Sequence, residues 1–176
     1  MFSARIETDP EKVEAVLTWP EPQSIDDVRS FLGLCSYYRR FFKCFAEISI
    51  PLHALTGKYA RFAWTEACKT AFDVLKRALM SSSVLAMPTY NDPYILDTDA
   101  SEMSIGAVLS QVQNGKEKVI AHASRTYNKA ERNYCTTWKE LLAVVYFVRQ
   151  FKQYLLGNKF VIRTDHAALT WLHRVS

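Results

Sequence analysis

The second half of the sequence alternates between strand-like and helix-like patterns, and this order limits the folds open to the chain. Three short β-rich runs come first: YILDTD, SIGAVLSQV and KVIAHAS. The intervening QNGK predicts a tight hairpin, because Asn-Gly favours the turn whose central residues need positive φ. A long helix ending near YLLGN, a fourth strand in KFVIRTD and a helix starting in HAALTWLHRVS follow. Hairpin-linked strands joined by a helical crossover predict a mixed α/β sheet.

The first half of the sequence has helical patterns. One helix is predicted to follow a capping box formed by Ser24 and Asp27, and another runs roughly from Glu66 to Leu79. A short helix is also predicted in TDPEKVEAVLTW. The SIDDV stretch superficially resembles the paired aspartates of polymerase palms, but no apolar strand precedes it and helix N-terminal charges explain both acids. We place a boundary between the two halves near Met87.

Composition narrows the class of protein. The chain has 176 residues and 49% hydrophobic content, enough for one medium domain or two small ones. A net charge of +4 permits a nucleic-acid partner without requiring one. The cysteines form no C-x-x-C pair and do not cluster with the histidines, which argues against a zinc site and for reduced thiols. The longest apolar run, LLAVVYFV, is far shorter than the ~20 residues of a membrane helix, and no secretory signal is visible.

Three carboxylates stand out as a candidate site. Asp99 and Asp165 each follow an apolar run and a threonine, in ILDTD and VIRTD. If these strands are parallel neighbours, both aspartates emerge at one sheet edge, and Glu140 on the long helix can point to the same edge. Three acids at one place need a cation, and hard oxygen ligands suit Mg²⁺ or Mn²⁺. The pattern therefore predicts a site for metal-assisted phosphodiester hydrolysis.

Each acid also has a structural interpretation that the pattern leaves open. Asp97 and Asp99 fit the solvated end of a strand. Glu140 fits a capping box with Thr137 in TWKE, and Asp165 fits the N-cap of the last helix.

Several motifs together resemble one known family. ILDTDASEMSIGAVLSQ and SRTYNKAERNYCTTWKELLAVVYFVRQFKQYLLGNKFVIRTDHAALTWL are similar to the ribonuclease H domain of gypsy-type LTR-retrotransposon reverse transcriptases. The upstream stretch WPEPQSIDDVRSFLGLCSYYRRFFKCFAEISIPLHALTGKYARFAWTEACKTAFDVLKRAL resembles the thumb and connection region that precedes it. The resemblance runs nearly end to end. It implies a small, mainly helical thumb/connection-like region over 1–87 and a ribonuclease H-like domain over 88–176.

The resemblance also implies an activity and its residues. It implies a mixed-sheet ribonuclease H-like fold and an endonuclease that hydrolyses the RNA strand of RNA–DNA hybrids. The expected cofactor is Mg²⁺ or Mn²⁺, with two ions in the complete domain. The TDAS, ELLA and RTDH motifs place the catalytic, metal-binding acids at Asp99, Glu140 and Asp165. Asp97 is not among the family's ligands and is expected to tune the site or face water.

A second group of residues is predicted to contact nucleic acid. It comprises Arg39, Arg40, Lys43, Ser101, Arg163 and His166. YYRRFFK interleaves aromatics with cations, which fits phosphate contacts. Its alternative is a solvated basic face opposite a core formed by Tyr37, Phe41 and Phe45. Arg163 and His166, on either side of Asp165, are also open to a structural role. A hybrid is read mainly through shape and backbone, so no base-specific pocket is expected.

The resemblance implies missing parts as well. The family's polymerase aspartates lie upstream of this sequence, and its last strand, last helix and fourth acidic ligand would follow Ser176. The leading hypothesis is therefore the incomplete ribonuclease H portion of a retroelement polyprotein whose parent is also an RNA-directed DNA polymerase. The alternative is a non-catalytic, retroelement-derived module that binds nucleic acid or a protein. Expected partners are an RNA–DNA hybrid or template–primer duplex, the rest of the polyprotein, or a second chain completing the fold. No membrane partner is expected, and the expected location is a cytoplasmic retroelement particle or the nucleus.

Overall fold

The first half of the chain is helical in the computed structural model, which describes residues 5–6, 18–80, 85–89, 92–166 and 169. Its elements are β1 (Arg5–Ile6), α1 (Ile25–Tyr37), a 3₁₀ turn (Arg39–Phe41), α2 (Phe45–Ile48), α3 (Ile50–Leu55), α4 (Glu66–Met80) and β2 (Leu85–Ala86). The predicted capping box is present at the start of α1, where Ser24 and Asp27 bond each other's backbone N–H groups. β1 and β2 pair in an antiparallel ladder.

The second half forms a four-stranded mixed sheet, as predicted. Its strands are β3 (Tyr94–Ala100), β4 (Ser104–Gln113), β5 (Lys116–Thr126) and β6 (Phe160–Arg163). Their order across the sheet is β5-β4-β3-β6, with β3 antiparallel to β4 and parallel to β6. Asn114 and Gly115 join β4 to β5 with φ values of 53° and 73°, the left-handed pair that an Asn-Gly hairpin turn requires.

A helical crossover joins β5 to β6. It consists of α5 (Thr136–Gln150) and α6 (Lys152–Leu155), which are separated at Phe151, whereas the sequence predicted one continuous helix. Gly157 follows with φ of 78°, the predicted helix stop. Ala143 and Phe147 are buried on α5 in the same apolar cluster as the inward-facing leucines of β3 and β4. The helix therefore covers one face of the sheet. This packing places the N-terminal turns of α5 beside the ends of the strands.

The buried apolar side chains of the described residues form two clusters. One contains buried side chains from Val28 to Leu85, and the other contains buried side chains from Ala86 to Leu155. The boundary near Met87 stays a prediction. The short helix predicted in TDPEKVEAVLTW and the helix predicted in HAALTWLHRVS lie almost wholly outside the described residues. Within the described part of the chain, no helix combines the length and apolar character needed to cross a membrane.

Candidate metal centre

The three acids singled out by sequence converge at one end of the sheet. Asp99 lies near the end of β3, and Asp165 follows the end of β6. Because β3 and β6 are parallel neighbours, their C-terminal ends bring both aspartates to the same edge. Glu140 reaches this edge from the first turns of α5. One carboxylate oxygen from each residue lies within 4.8 Å of the others.

Burial divides the three acids into one inner and two outer groups. Glu140 is only 4% exposed, whereas Asp99 and Asp165 are exposed. Burial raises the pKa of Glu140 above its ordinary value, and the charges of Asp165 and then Asp99 raise it further. Its Oε2 atom is buried and has no hydrogen-bond partner among the described residues. The site thus combines like charges with an unsatisfied buried acceptor.

The capping interpretation of Glu140 does not match the structure. Helix α5 begins after Cys135, which makes no side-chain capping bond. Thr137, the expected partner of Glu140, instead contacts His166 across 3.1 Å from Oγ1 to Nε2. The backbone N–H of His166 in turn donates to Thr164 Oγ1. These contacts tie the segment after β6 to the first turn of α5, and they leave the Glu140 carboxylate directed to the acidic cluster.

The chemistry of the three donors fits a hard divalent cation. Carboxylate oxygens are the ligands that Mg²⁺ and Mn²⁺ prefer in proteins. An ion shared by Asp99, Glu140 and Asp165 would satisfy the unpartnered oxygen of Glu140 and screen the mutual repulsion of the cluster. The roles of these residues as ligands stay a prediction that the geometry supports.

Asp97 has a positive partner of its own. Arg163 donates from Nε and Nη2 to the two Asp97 oxygens at 2.6 and 2.7 Å, across the parallel pair β3 and β6. The same guanidinium donates to Glu117 on β5 at 2.6 and 3.1 Å. The pKa of Glu117 is lowered chiefly by this hydrogen bond. Arg163 is thus shared by two carboxylates, which gives it a structural role beside its predicted role in phosphate contact.

Two of the basic residues of YYRRFFK contact the second half of the chain. Arg39 Nη2 donates to the Ser124 carbonyl at 3.4 Å, and Arg40 Nη2 donates to the Tyr154 hydroxyl at 3.3 Å. Lys43 lines a cavity of about 400 Å³ together with Asp99 and Asp165. All three cations are exposed, as both interpretations of the motif require.

The aromatic residues of the motif separate into two groups. Phe41 and Phe45 are buried, as the core interpretation expects, whereas Tyr37 is 72% exposed. The core interpretation of the motif therefore holds for Phe41 and Phe45 but not for Tyr37.

Glu47 is a site neighbour that the sequence did not reveal. Its Oε2 accepts hydrogen bonds from Ser101 Oγ at 3.2 Å and from Ser104 Oγ at 3.0 Å. Ser101 and Ser104 bound the turn that follows the strand carrying Asp99. Ser101, predicted to contact nucleic acid, is thus also part of a turn that the helical region holds. No local signal could have found Glu47, because its partners are 54 and 57 residues away along the chain.

Comparison with known proteins agrees with this architecture. A family model described as "RNase H-like domain found in reverse transcriptase" matches residues 64–162, more than half of the chain. The Pol polyprotein of the Drosophila melanogaster transposon 412 is 38% identical over 164 residues, covering 93% of this chain and 13% of that polyprotein. The Pol polyprotein of transposon gypsy, from the same organism, is 40% identical over 177 residues. The match covers 93% of this chain and 17% of that polyprotein. The chain thus spans less than a fifth of these relatives.

Solved structures share the fold at lower sequence identity. The foamy viral protease-reverse transcriptase dRH in complex with double-stranded DNA superposes with a TM-score of 0.82 and 20% identity, covering 97% of this chain and 30% of that chain. The foamy viral protease-reverse transcriptase in complex with an RNA/DNA hybrid superposes with a TM-score of 0.78 and 21% identity. The match covers 95% of this chain and 23% of that chain. The predicted fold class and the predicted resemblance to gypsy-type retrotransposon proteins are both confirmed. The chain belongs to the family of RNase H-like domains found in reverse transcriptases, in the form carried by retrotransposon Pol polyproteins.

Proposed function

We propose that this chain carries the metal-dependent, hybrid-directed ribonuclease site of a retroelement Pol polyprotein. The observation that carries the proposal is the convergence of Asp99, Glu140 and Asp165 within 4.8 Å, with a buried and unpartnered oxygen on Glu140. A structural carboxylate at this depth would be expected to have a hydrogen-bond donor. The carboxylate of Glu140 accepts a backbone hydrogen bond from Ala100, but its Oε2 atom has no partner among the described residues and is free to bind a cation.

The three acids have different roles in the proposed site because their exposure differs. Asp99, Glu140 and Asp165 would hold Mg²⁺ or Mn²⁺, and the bound ion would supply a polarised water and neutralise charge on a phosphodiester. Glu140 holds its oxygen in place from the buried side, because α5 packs against the sheet. Asp99 and Asp165 leave the outer side open to a backbone phosphate. Lys43 lies on the wall of the same cavity and offsets part of the negative charge that a phosphate would meet.

The proposed substrate is the RNA strand of an RNA–DNA hybrid. This choice is supported by the family match, and by a foamy viral protease-reverse transcriptase of the same fold that was solved with such a hybrid. The parent protein would in addition be an RNA-directed DNA polymerase, which the match to a domain found in reverse transcriptases supports. This chain itself spans less than a fifth of the Pol polyproteins that resemble it. We place its action in a cytoplasmic retroelement particle or in the nucleus.

A cleavage assay tests the proposed function. The full chain is incubated with a labelled RNA–DNA hybrid in Mg²⁺, in Mn²⁺ and in EDTA, beside Asp99→Asn and a control variant, Glu21→Gln, which lies on the surface away from the site. Cutting of the RNA strand that requires metal, is lost in Asp99→Asn and is retained in Glu21→Gln is the expected result. Salt-sensitive hybrid binding that Asp99→Asn leaves unchanged, with no cutting under any condition, would instead favour a non-catalytic binding module.

A further inference from the structure

The turn between β3 and β4 adjoins two of the three acids of the metal centre. β3 ends at Ala100, the residue after Asp99, and β4 begins at Ser104. The backbone N–H of Ala100 donates to the carboxylate of Glu140. The backbone N–H of Ser101 donates to the Ser104 carbonyl at 2.9 Å and closes the turn. A shift of this turn would therefore move Asp99 and the hydrogen bond to Glu140 together.

Contacts from the second half of the chain hold the backbone of the turn. The Tyr127 hydroxyl donates to the Ser101 carbonyl at 3.2 Å, and the Tyr127 N–H donates to the Met103 carbonyl at 3.1 Å. Lys139 Nζ, on α5, donates to the Glu102 carbonyl at 3.3 Å. All three bonds end on backbone carbonyl groups, so they do not engage the side-chain hydroxyl groups of the turn.

The hydroxyl groups of the turn bond instead to an acid from the first half of the chain. Glu47 Oε2 accepts from Ser104 Oγ at 3.0 Å and from Ser101 Oγ at 3.2 Å. The two hydroxyl oxygens are themselves 3.1 Å apart, and Ser104 is only 4% exposed. Hydrogen bonds to an ionised acceptor are stronger than those to a neutral one. One carboxylate oxygen therefore fixes both ends of the turn from outside the sheet.

The backbone beside Glu47 is itself fixed on the sheet. The N–H of Ala46 donates to Ser124 Oγ of β5 at 2.9 Å, and Ser124 is buried. Ser124 pairs with Gly106, and Gly106 pairs with Asp99, so this anchor lies in the same row of the sheet as the metal centre. Glu47 thus reaches the turn from a backbone that is bonded to the sheet.

We propose that Glu47 is a positioning residue of the metal centre, which sets the spacing of the Asp99 and Glu140 carboxylates through the turn that joins β3 to β4. The inference rests on the proposed function for the role of these two acids. Glu47 lies outside the acidic cluster, which in the described part of the chain consists of Asp99, Glu140 and Asp165. It therefore acts through the two serine hydroxyls of the turn. In this arrangement the first half of the chain raises the metal affinity of a site whose acids all belong to the second half.

Binding of Mn²⁺ tests this role without relying on cleavage. The electron paramagnetic resonance signal of free Mn²⁺ is followed as the full chain is titrated, without nucleic acid and well below the unfolding midpoint of each variant. Glu47→Ala removes the acceptor of both serine hydroxyls. Glu47→Gln removes the same charge but keeps a side-chain oxygen that accepts from them. Glu21→Ala removes an exposed charge away from the site.

The variants are expected to differ in their affinity for Mn²⁺. Glu47→Ala should weaken binding about 10-fold, as the loss of a group that orients metal ligands does. Glu47→Gln should stay within about threefold of wild type and Glu21→Ala should match wild type, because salt screens the charge of an exposed side chain. Ser104→Ala should also weaken binding and should add little to Glu47→Ala, since two residues of one hydrogen-bond network are not additive.

The outcomes separate this role from the proposed function. Binding of Mn²⁺ that is lost in Asp99→Asn but unchanged in Glu47→Ala would overturn the positioning role and keep the metal centre. Equal losses in Glu47→Ala and Glu47→Gln would also overturn the role, because charge alone would then explain the effect. A loss confined to Glu47→Ala, with no cleavage of a hybrid by wild type, keeps the positioning role and removes the nuclease. Wild-type binding no tighter than that of Asp99→Asn removes the metal centre, and the positioning role with it.

Discussion

Replacing Glu140 by glutamine should stabilise the metal-free protein while removing its response to metal. The substitution keeps the shape of the side chain and removes one charge from a cluster whose oxygens lie within 4.8 Å. It leaves the packing of α5 against the sheet in place, because the apolar contacts of that helix come from residues such as Ala143 and Phe147.

The magnitude follows from the repulsion that glutamine removes. Two unit charges at 4.8 Å repel by about 0.9 kcal/mol even at the dielectric constant of water. Glu140 faces two such neighbours, Asp99 and Asp165, so the gain is about 2 kcal/mol. Glutamine also replaces one carboxylate oxygen by an N–H donor, which can bond the neighbouring aspartate carboxylates and therefore does not oppose this gain. For a chain of this length, about 2 kcal/mol raises the unfolding temperature by about 4–8 °C.

The pH dependence has a definite sign. The pKa of Glu140 in the folded chain lies above its ordinary value of 4.5, so ionisation of this group favours the unfolded state. Below about pH 4.5 the carboxyl group is protonated in both states and the destabilisation is absent. It grows as the pH rises through the folded-state pKa and is constant above it. The difference between Glu140→Gln and wild type should therefore be larger at pH 7 than at pH 4.

Thermal unfolding in EDTA at pH 7 and pH 4 measures the stability gain and its pH dependence. Titration with Mg²⁺ at pH 7 measures the loss of the response to metal. Wild type is expected to gain stability with Mg²⁺, since a ligand that binds only the folded state stabilises it, while Glu140→Gln gains little. The surface variant Glu21→Gln controls for the loss of one charge. A Glu140→Gln protein that is less stable than wild type by the same amount at both pH values would refute the reasoning, because Glu140 would then be a structural hydrogen-bonding residue.

Three further predictions concern the sheet, its hairpin turn and helix α1. Arg163→Ala should lower the free energy of unfolding by about 1 kcal/mol in urea titrations, because Arg163 and both of its carboxylate partners are one-third to one-half exposed and screened. That difference should shrink at high salt. Gly115→Ala should destabilise by about 1 kcal/mol because φ is 73° there. Gly33→Ala inside α1, where a Cβ meets no atom within 4 Å, should instead stabilise by roughly 0.5–1 kcal/mol. The same sign for both glycine variants would contradict the turn assignment.

The parts of the fold that the sequence predicts are set by neighbouring residues. The Asn114–Gly115 turn, the capping box at Ser24 and the helix stop at Gly157 each depend on residues within one turn of the chain. The acidic cluster was also predictable, because Asp99 and Asp165 occupy matching positions in ILDTD and VIRTD. Once those strands are parallel neighbours, the carboxylates must meet at one edge.

The parts that the sequence did not predict depend on contacts between distant segments. Arg163 joins Asp97 and Glu117 across 66 and 46 residues of chain, and nothing near VIRTD indicates that its guanidinium is shared. Glu47, in the helical region, accepts hydrogen bonds from the turn after β3. Its partners are 54 and 57 residues away, so no local signal indicates this contact either. Thr137 lies at the right spacing to cap with Glu140, but its hydroxyl contacts His166 instead. Tertiary contacts overrode the local pattern in each case.

Anomalous diffraction from crystals of the full chain grown with Mn²⁺ tests the central claim most directly. The account predicts a manganese peak between the carboxylates of Asp99, Glu140 and Asp165, and a weaker or absent peak in Glu140→Gln crystals. Manganese bound only at other positions, with the three carboxylates paired to protein groups or turned apart, would contradict it.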